Sequence, residues 1–168
     1  MLYGCVLEPT LIGPIQIVSD ENYIIRLDFY NSDKNEIVKY LTNNYGTAEV
    51  SAACSSVLQL AKHQLIEYFA GQRKIFDIPL RVFGTEFQKQ CWKSLAEIPY
   101  GQTRSYREQA ESVGRAKAFR AVGQSNHRNP IAIILPCHRV VGADGALCGF
   151  GGGLDVKQKL LSLENTYK

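Results

Sequence analysis

Cys137 and His138 stand side by side in Pro136-Cys-His-Arg-Val140, directly after the apolar run Ile131–Leu135. A free thiol with a pKa of about 8.5 is only about 3% thiolate at neutral pH. Imidazole and guanidinium neighbours lower that pKa, so His138 and Arg139 predict an activated nucleophile at Cys137. The same residues fit a buried packing cysteine equally well, because free cysteines are among the most buried residue types. The apolar run, too short for an ordinary helix, predicts a buried strand, with Pro136 ending its pairing. On extended backbone, neighbouring side chains point to opposite faces, so His138 would reach the thiol through a water. An activated thiol also needs a group to orient the imidazole. Glu164 is a candidate, lying at the edge of the apolar face formed by Val156, Leu160, Leu161 and Leu163 in the last predicted helix.

What such a thiol could act on is indicated by charge. Residues 1–78 carry six Lys/Arg against nine Asp/Glu, and residues 79–168 carry thirteen against seven. No acid occurs between Glu111 and Asp144, whereas Arg115, Lys117, Arg120, Arg128 and Arg139 all fall there. A solvated helix face usually mixes signs, so this run points to a polyanion. Ser105 with Glu108 forms a capping box that opens a helix to about Val113. A second helix is predicted over Ala116–Ser125, with Ala118, Ala121 and Val122 facing inward. Two short helices joined by a turn at Gly114 make a helix-turn-helix candidate, about 105–126. Lys117, Arg120 and Gln124 then share one polar face, suited to phosphates and base edges. Arg107, near the cap of the first helix, joins Arg115 as a further candidate DNA contact.

The elements that must hold these residues divide the chain in two. Ile15–Val18 and Ile25–Phe29 alternate like strands, residues 34–41 suggest a short helix, and Val57, Ala61, Leu65 and Tyr68 mark a helical face. The prediction is an α+β fold: a small N-terminal β-meander and helix domain over 1–78, a linker at 79–84, and a mainly helical domain over 85–168 carrying the helix-turn-helix and a short active-site strand and hairpin. Thr85 and Gln88 form a second capping box, and Cys91 and Trp92 read as core. Asp144-Gly145 predicts a hairpin turn between Val140-Val141 and Ala146-Leu147. Composition excludes several classes. At 45% hydrophobic and 21% charged residues the chain is ordinary globular material, and no run reaches the length of a membrane span. Five cysteines without a C-x-x-C pair argue against a disulfide framework or zinc ribbon and for a reducing, cytoplasmic setting.

The string Pro136-Cys-His-Arg-Val140, with Asn129-Pro130 before it and a Gly-rich loop at 149–153 after it, resembles the O6-alkylguanine-DNA alkyltransferases, the methylated-DNA–protein-cysteine methyltransferases. Ile98-Pro-Tyr-Gly101, Ser105-Tyr106, Arg120-Ala-Val-Gly123 and Gly84-Thr85 with Phe87-Gln88 extend the likeness, which is strong over about 65–164 and looser before it. This implies direct-reversal DNA repair: O6-methylguanine is flipped out of the duplex and its alkyl group passes irreversibly to Cys137, once per molecule. O4-methylthymine is left open as a second substrate. His138 would be the base acting through water, Glu164 its orienting group, and Asn129 the support of the active-site turn. Tyr106 would crowd the 3′ phosphate and assist proton transfer to the leaving base. Arg120 would enter the stack where the base had been, from the minor groove, with Ala121 and Gly123 allowing close approach. The substrate pocket would include Val140, Phe150 and Gly151; Phe150 and Gly151 replace a frequent tyrosine and a frequent small or hydroxyl residue. No metal or cofactor is implied, the partner is double-stranded DNA with alkylated bases rather than a membrane, and a monomer is expected, at the nucleoid or in the nucleus if held on DNA. A cysteine hydrolase, a DNA-binding module without chemistry and a regulatory helix-turn-helix protein are the alternatives.

Overall fold

The computed structural model describes residues 1–168 and divides into two compact units, Met1–Phe83 and Gly84–Lys168. In the first, β1 (Tyr3–Leu7), β2 (Ile15–Ser19) and β3 (Ile24–Phe29) form an antiparallel meander in the order β1-β2-β3. Helix α1 (Lys34–Tyr45) packs Ile37 and Leu41 against Leu2, Val18 and Ile25. Helix α2 (Ser56–Phe69) lies against all three strands, and the alternate side chains Ile15, Ile17 and Leu27 are buried too. The strands are therefore apolar on both faces. Residues 79–83, expected as a linker, are held by this unit. Leu80 bridges to Ile24, Arg81 pairs with Asp20 at 2.7 Å, and the Phe83 N–H donates to the Tyr40 hydroxyl.

The second unit opens with α3 (Glu86–Ala96), whose Thr85–Gln88 capping box is formed as the spacing predicts. It continues through β4 (Arg104–Ser105) into α4 (Tyr106–Ser112), again with the predicted box at Ser105 and Glu108. Helix α5 (Phe119–His127) follows. Cys91, Ala110 and Val122 from the three helices meet in one core, against Phe87, Tyr106 and Val113. A buried polar network crosses the same helices: Gln109 and Asn126 exchange amide hydrogen bonds at 3.1 and 2.7 Å, and the Trp92 indole donates to the Ser125 carbonyl at 2.8 Å. Each of these groups would cost about 1–3 kcal/mol if buried unpaired, so the network fixes helix register as well as packing. Helix α5 starts three residues later than the pattern suggests. Residues 115–118 form a turn closed by the Ala118 N–H to the Arg115 carbonyl, and Ala118 offers no side-chain cap. Lys117 thus precedes the helix instead of sharing its face, and Ala121 is exposed, not inward.

The apolar run 131–135 is buried throughout but is not a strand. It folds into successive turns closed by Leu135 N–H to Ile131 O and Ile134 N–H to Ala132 O, with Ile133 in the left-handed region at φ 69°. Periodicity reports burial, and a short run meets the need for internal hydrogen bonds as well by turns as by a sheet. A short 3-10 turn, Cys137–Arg139, leads into β5 (Val140–Val141), which pairs in parallel with β4. The Asp144-Gly145 turn forms, with the Gly142 N–H reaching the Ala146 carbonyl at 2.8 Å, but it closes no strand hairpin. Val140-Val141 takes β4 as its partner instead. Helix α6 (Leu154–Thr166) ends the unit and packs on the 3-10 turn.

Candidate active site

The tight loop before Cys137 is stapled by one side chain. The Asn129 amide donates to the Leu135 carbonyl at 2.7 Å and to the Cys137 sulfur at 3.3 Å, while its oxygen accepts from the Ile131 N–H at 3.0 Å. These bonds span the loop that holds Ile133 in its unusual conformation, which costs of order 1–3 kcal/mol and persists only where neighbours over-determine it. The thiol sits at the start of the 3-10 turn with 8% of its surface exposed.

His138 and Glu164 are fully buried. His138 Nε2 lies 2.7 Å from Glu164 Oε1. The same carboxylate takes a two-pronged contact from Arg139, with Nε to Oε2 at 2.9 Å and Nη2 to Oε1 at 3.0 Å, and accepts the Gly101 N–H at 3.1 Å. Gly101 adopts φ 71° to aim that N–H, a conformation that favours glycine. Arg139 Nη1 donates to the Ile98 carbonyl at 2.6 Å. Burial alone would raise the Glu164 carboxyl; the His138 and Arg139 contacts outweigh it and hold the group at about 2. Burial also pushes His138 down, against the pull of Glu164, so the imidazole is neutral near pH 7. An ionised Glu164 at Nε2 places the imidazole proton there. Nδ1 remains as a buried lone pair with no protein partner.

Burial raises the Cys137 thiol, the opposite of the sequence-based expectation. The Asn129 donor and the Lys157 ammonium oppose the rise without overcoming it. The resting state is therefore a neutral thiol beside a neutral imidazole. The two side chains make no direct hydrogen bond, and the intervening backbone is a 3-10 turn rather than extended chain. Such a pair can lose the thiol proton to Nδ1 at the moment a nucleophile is needed.

Lys157, absent from the sequence-based candidates, is buried on α6 and donates to the carbonyls of Val140 at 2.5 Å and Cys148 at 3.0 Å. Burial lowers its pKa, while the Cys137 and Cys148 thiols act in the other direction. Lys157, Leu160 and Glu164 fall at i, i+3 and i+7, so a lysine on the inward stripe was a readable signal. Arg139, read as a flanking charge, is the second holder of Glu164.

Tyr106 joins this cluster to an open concavity of about 650 Å³, lined also by Phe119, Arg120, Ala121, Gln124 and Gly149. Its hydroxyl donates to the carbonyls of Cys148 and Gly149 at 3.0 and 3.2 Å. Burial, with the nearby Cys148 and Cys137 thiols, raises it to about 12, so it stays protonated. Of the candidate DNA contacts, Arg120 and Gln124 line the concavity, whereas Arg107, Arg115 and Lys117 are exposed outside its walls. Val140 is wholly buried, Phe150 is half-buried with its ring 5.9 Å from the Lys157 ammonium, and Gly151 is exposed.

Family models divide the chain at the same place as its packing. The ribonuclease-like domain of 6-O-methylguanine DNA methyltransferase matches residues 1–82, and the DNA binding domain of the same family matches residues 86–166. The chain belongs to that family. Among its relatives, a Methanosarcina barkeri methylated-DNA–protein-cysteine methyltransferase is 46% identical over 165 residues, covering 98% of this chain and 97% of the relative. A Methanosarcina acetivorans protein of the same name is 46% identical over 166 residues, covering 98% and 99%. Among solved structures, Mycobacterium tuberculosis OGT in complex with DNA superposes with a TM-score of 0.86 at 38% identity, covering 98% of this chain and 94% of that one. As a methylated-DNA–protein-cysteine methyltransferase the chain carries a DNA-binding unit, and no helix in it is long and apolar enough to cross a membrane.

Proposed function

We propose that this chain repairs O6-methylguanine by taking the methyl group onto Cys137, once per molecule. The observation that carries the reading is the buried His138–Glu164–Arg139 cluster beside a stapled thiol, with His138 Nδ1 as its one open basic position. The lesion cannot be reached inside a duplex, so the nucleotide swings out through the minor groove into the site, and Arg120 occupies the space it leaves. The thiol proton passes through a water to His138 Nδ1, and Glu164 stabilises the imidazolium. The sulfur attacks the methyl carbon in line; the S–C bond forms as the C–O6 bond breaks, and its electron pair goes to the purine. The purine takes up one proton through Tyr106, and the proton held on His138 restores the tyrosine, so the thiol proton ends on guanine and no charge is left behind. Thiol and O6-methylguanine thus become thioether and guanine. A thioether offers no hydrolysable bond, so the protein is consumed.

The raised thiol pKa supports this scheme. A nucleophile used once must survive until its substrate arrives, and a neutral, shielded thiol resists oxidation better than a standing thiolate. Asn129 keeps the sulfur in line, and Phe150 offers an apolar wall to the base. The relatives' names support methylated DNA as the substrate, and the DNA-bound relative supports DNA as the partner. Nothing in the scheme needs a second copy of the chain, and we infer a monomer acting wherever alkylated DNA lies. Intact mass spectrometry after incubation with O6-methylguanine duplex tests it. The expected result is one added methyl per protein, mapped to Cys137 and absent from Cys137→Ala. Continued turnover beyond one equivalent, or methylation of the Ala variant, would sink the reading.

A further inference from the structure

The second unit leaves an aromatic ring exposed among basic residues at the start of α5. Phe119 opens α5 and is 41% exposed, whereas Trp92 is buried and Phe87 and Tyr106 pack into the helical core. Scattered exposed apolar residues are common on proteins and mean little by themselves. Phe119 differs in its setting. It forms part of the concavity wall next to Arg120, whose guanidinium carbon lies 5.9 Å from the ring centroid. Arg115, Lys117 and Arg128, all exposed, flank it in sequence, and no carboxylate occurs between Glu111 and Asp144. A second copy of this face would bring like charges together, so self-association does not cover the ring. A partner that offers both anionic groups to the guanidinium and flat apolar surfaces to the ring is a nucleic acid with an unstacked base.

We propose that Phe119 is a base-stacking residue of the DNA face, acting with Arg120 to hold the duplex open around the extruded nucleotide. This rests on the function proposed above and adds to it a second residue that discriminates duplex from free base. Apolar side chains inserted at a base step unstack it and stabilise a bent duplex. Arg120 alone can fill the vacated position through hydrogen bonds and charge; the adjoining ring adds a stacking platform for the neighbouring or orphaned base. Because every base has a π-face, this contribution is insensitive to sequence.

The test uses the full chain with Phe119→Ala and Phe119→Trp. Rates of Cys137 methylation are measured on O6-methylguanine duplex and on the free O6-methylguanine base. Stacking on one aromatic ring is worth about 5- to 150-fold, so Phe119→Ala should slow the duplex reaction by that factor beyond any change with the free base. Phe119→Trp should restore the duplex rate, and its new indole emission should be quenched by duplex and shielded from iodide. A duplex rate for Phe119→Ala within about twofold of the parent, equal losses on both substrates, or an indole at position 119 that duplex leaves unquenched would each overturn the stacking role. If the parent gains no methyl from either substrate, the proposed function fails instead, and the quenching titration still decides whether the ring stacks on DNA.

Discussion

Glu164 accepts from an imidazole, a guanidinium and a backbone amide, with no exposure to solvent. Its carboxyl, ordinarily near 4.5, is held at about 2, which ties it to folding stability with a definite sign. A carboxyl depressed in the folded state favours the fold above about pH 4.5 and loses that contribution as the pH falls towards about 2. His138, depressed below 6.5 by burial, acts in the same direction: its contribution erodes as the pH falls below that value. Glu164→Gln should cost about 3–5 kcal/mol at neutral pH, since it leaves Arg139 buried without its anion. In urea titrations the gap between parent and variant should narrow between about pH 4.5 and 2. A gap that stayed constant through that range would show that the carboxylate charge is not what the site depends on.

At the scale of elements, α6 matters more to the site than its terminal position suggests. It packs on the 3-10 turn, delivering Glu164 and, two turns earlier, Lys157, which ties the β5 backbone to the Cys148 carbonyl just before the Gly-rich loop. The Lys157 charge also acts on the Cys137 sulfur, where it opposes the effect of burial. Lys157→Met keeps most of the buried volume but removes the charge and both hydrogen bonds. The thiol pKa of Cys137 should rise further, read from thiolate absorbance against pH with Cys137→Ser as the blank. The carbonyls left behind should cost about 1–3 kcal/mol each. An unaltered thiol titration would confine Lys157 to a structural role. Helix α5 shows the complementary case. Its late start moves Lys117 into the preceding turn and leaves Phe119 and Arg120 at the leading end of the helix, on the concavity.

Across the whole molecule, charge is unevenly divided. Lys and Arg outnumber Asp and Glu by thirteen to seven from residue 79 onward, and the reverse bias holds before it. Binding to DNA through this surface should weaken steeply with salt, by counterion release from each neutralised phosphate. Replacing Arg115 or Lys117 with Ala should lower the slope of log affinity against log salt by about 1 each, without changing the preference for the lesion. A slope unmoved by either substitution would place the DNA on another face.

Much of this could be read without coordinates, and the reason lies in range. Capping boxes at Thr85–Gln88 and Ser105–Glu108 formed as spaced, because a cap is satisfied within one turn of chain. The apolar stripes of α2 and α3 found their cores, while that of α5 lost Ala121 to the surface, and the motif around Cys137 named the family. Burial of residues 131–135 was equally legible; their conformation was not, since turns and strands bury the same residues, and the choice between them fell to Asn129 and the turn hydrogen bonds. The partners of Glu164 lie 25, 26 and 63 residues away, beyond any local pattern. The state of the thiol was likewise decided in three dimensions. Neighbours in sequence suggested a lowered pKa, but desolvation depends on what surrounds the sulfur in space, and it outweighs the charges beside it. The sequence by itself determined which residues were available for the chemistry. The tertiary structure decided that Cys137 rests neutral, with an imidazole held to Glu164 by one nitrogen and its other nitrogen free to take a proton.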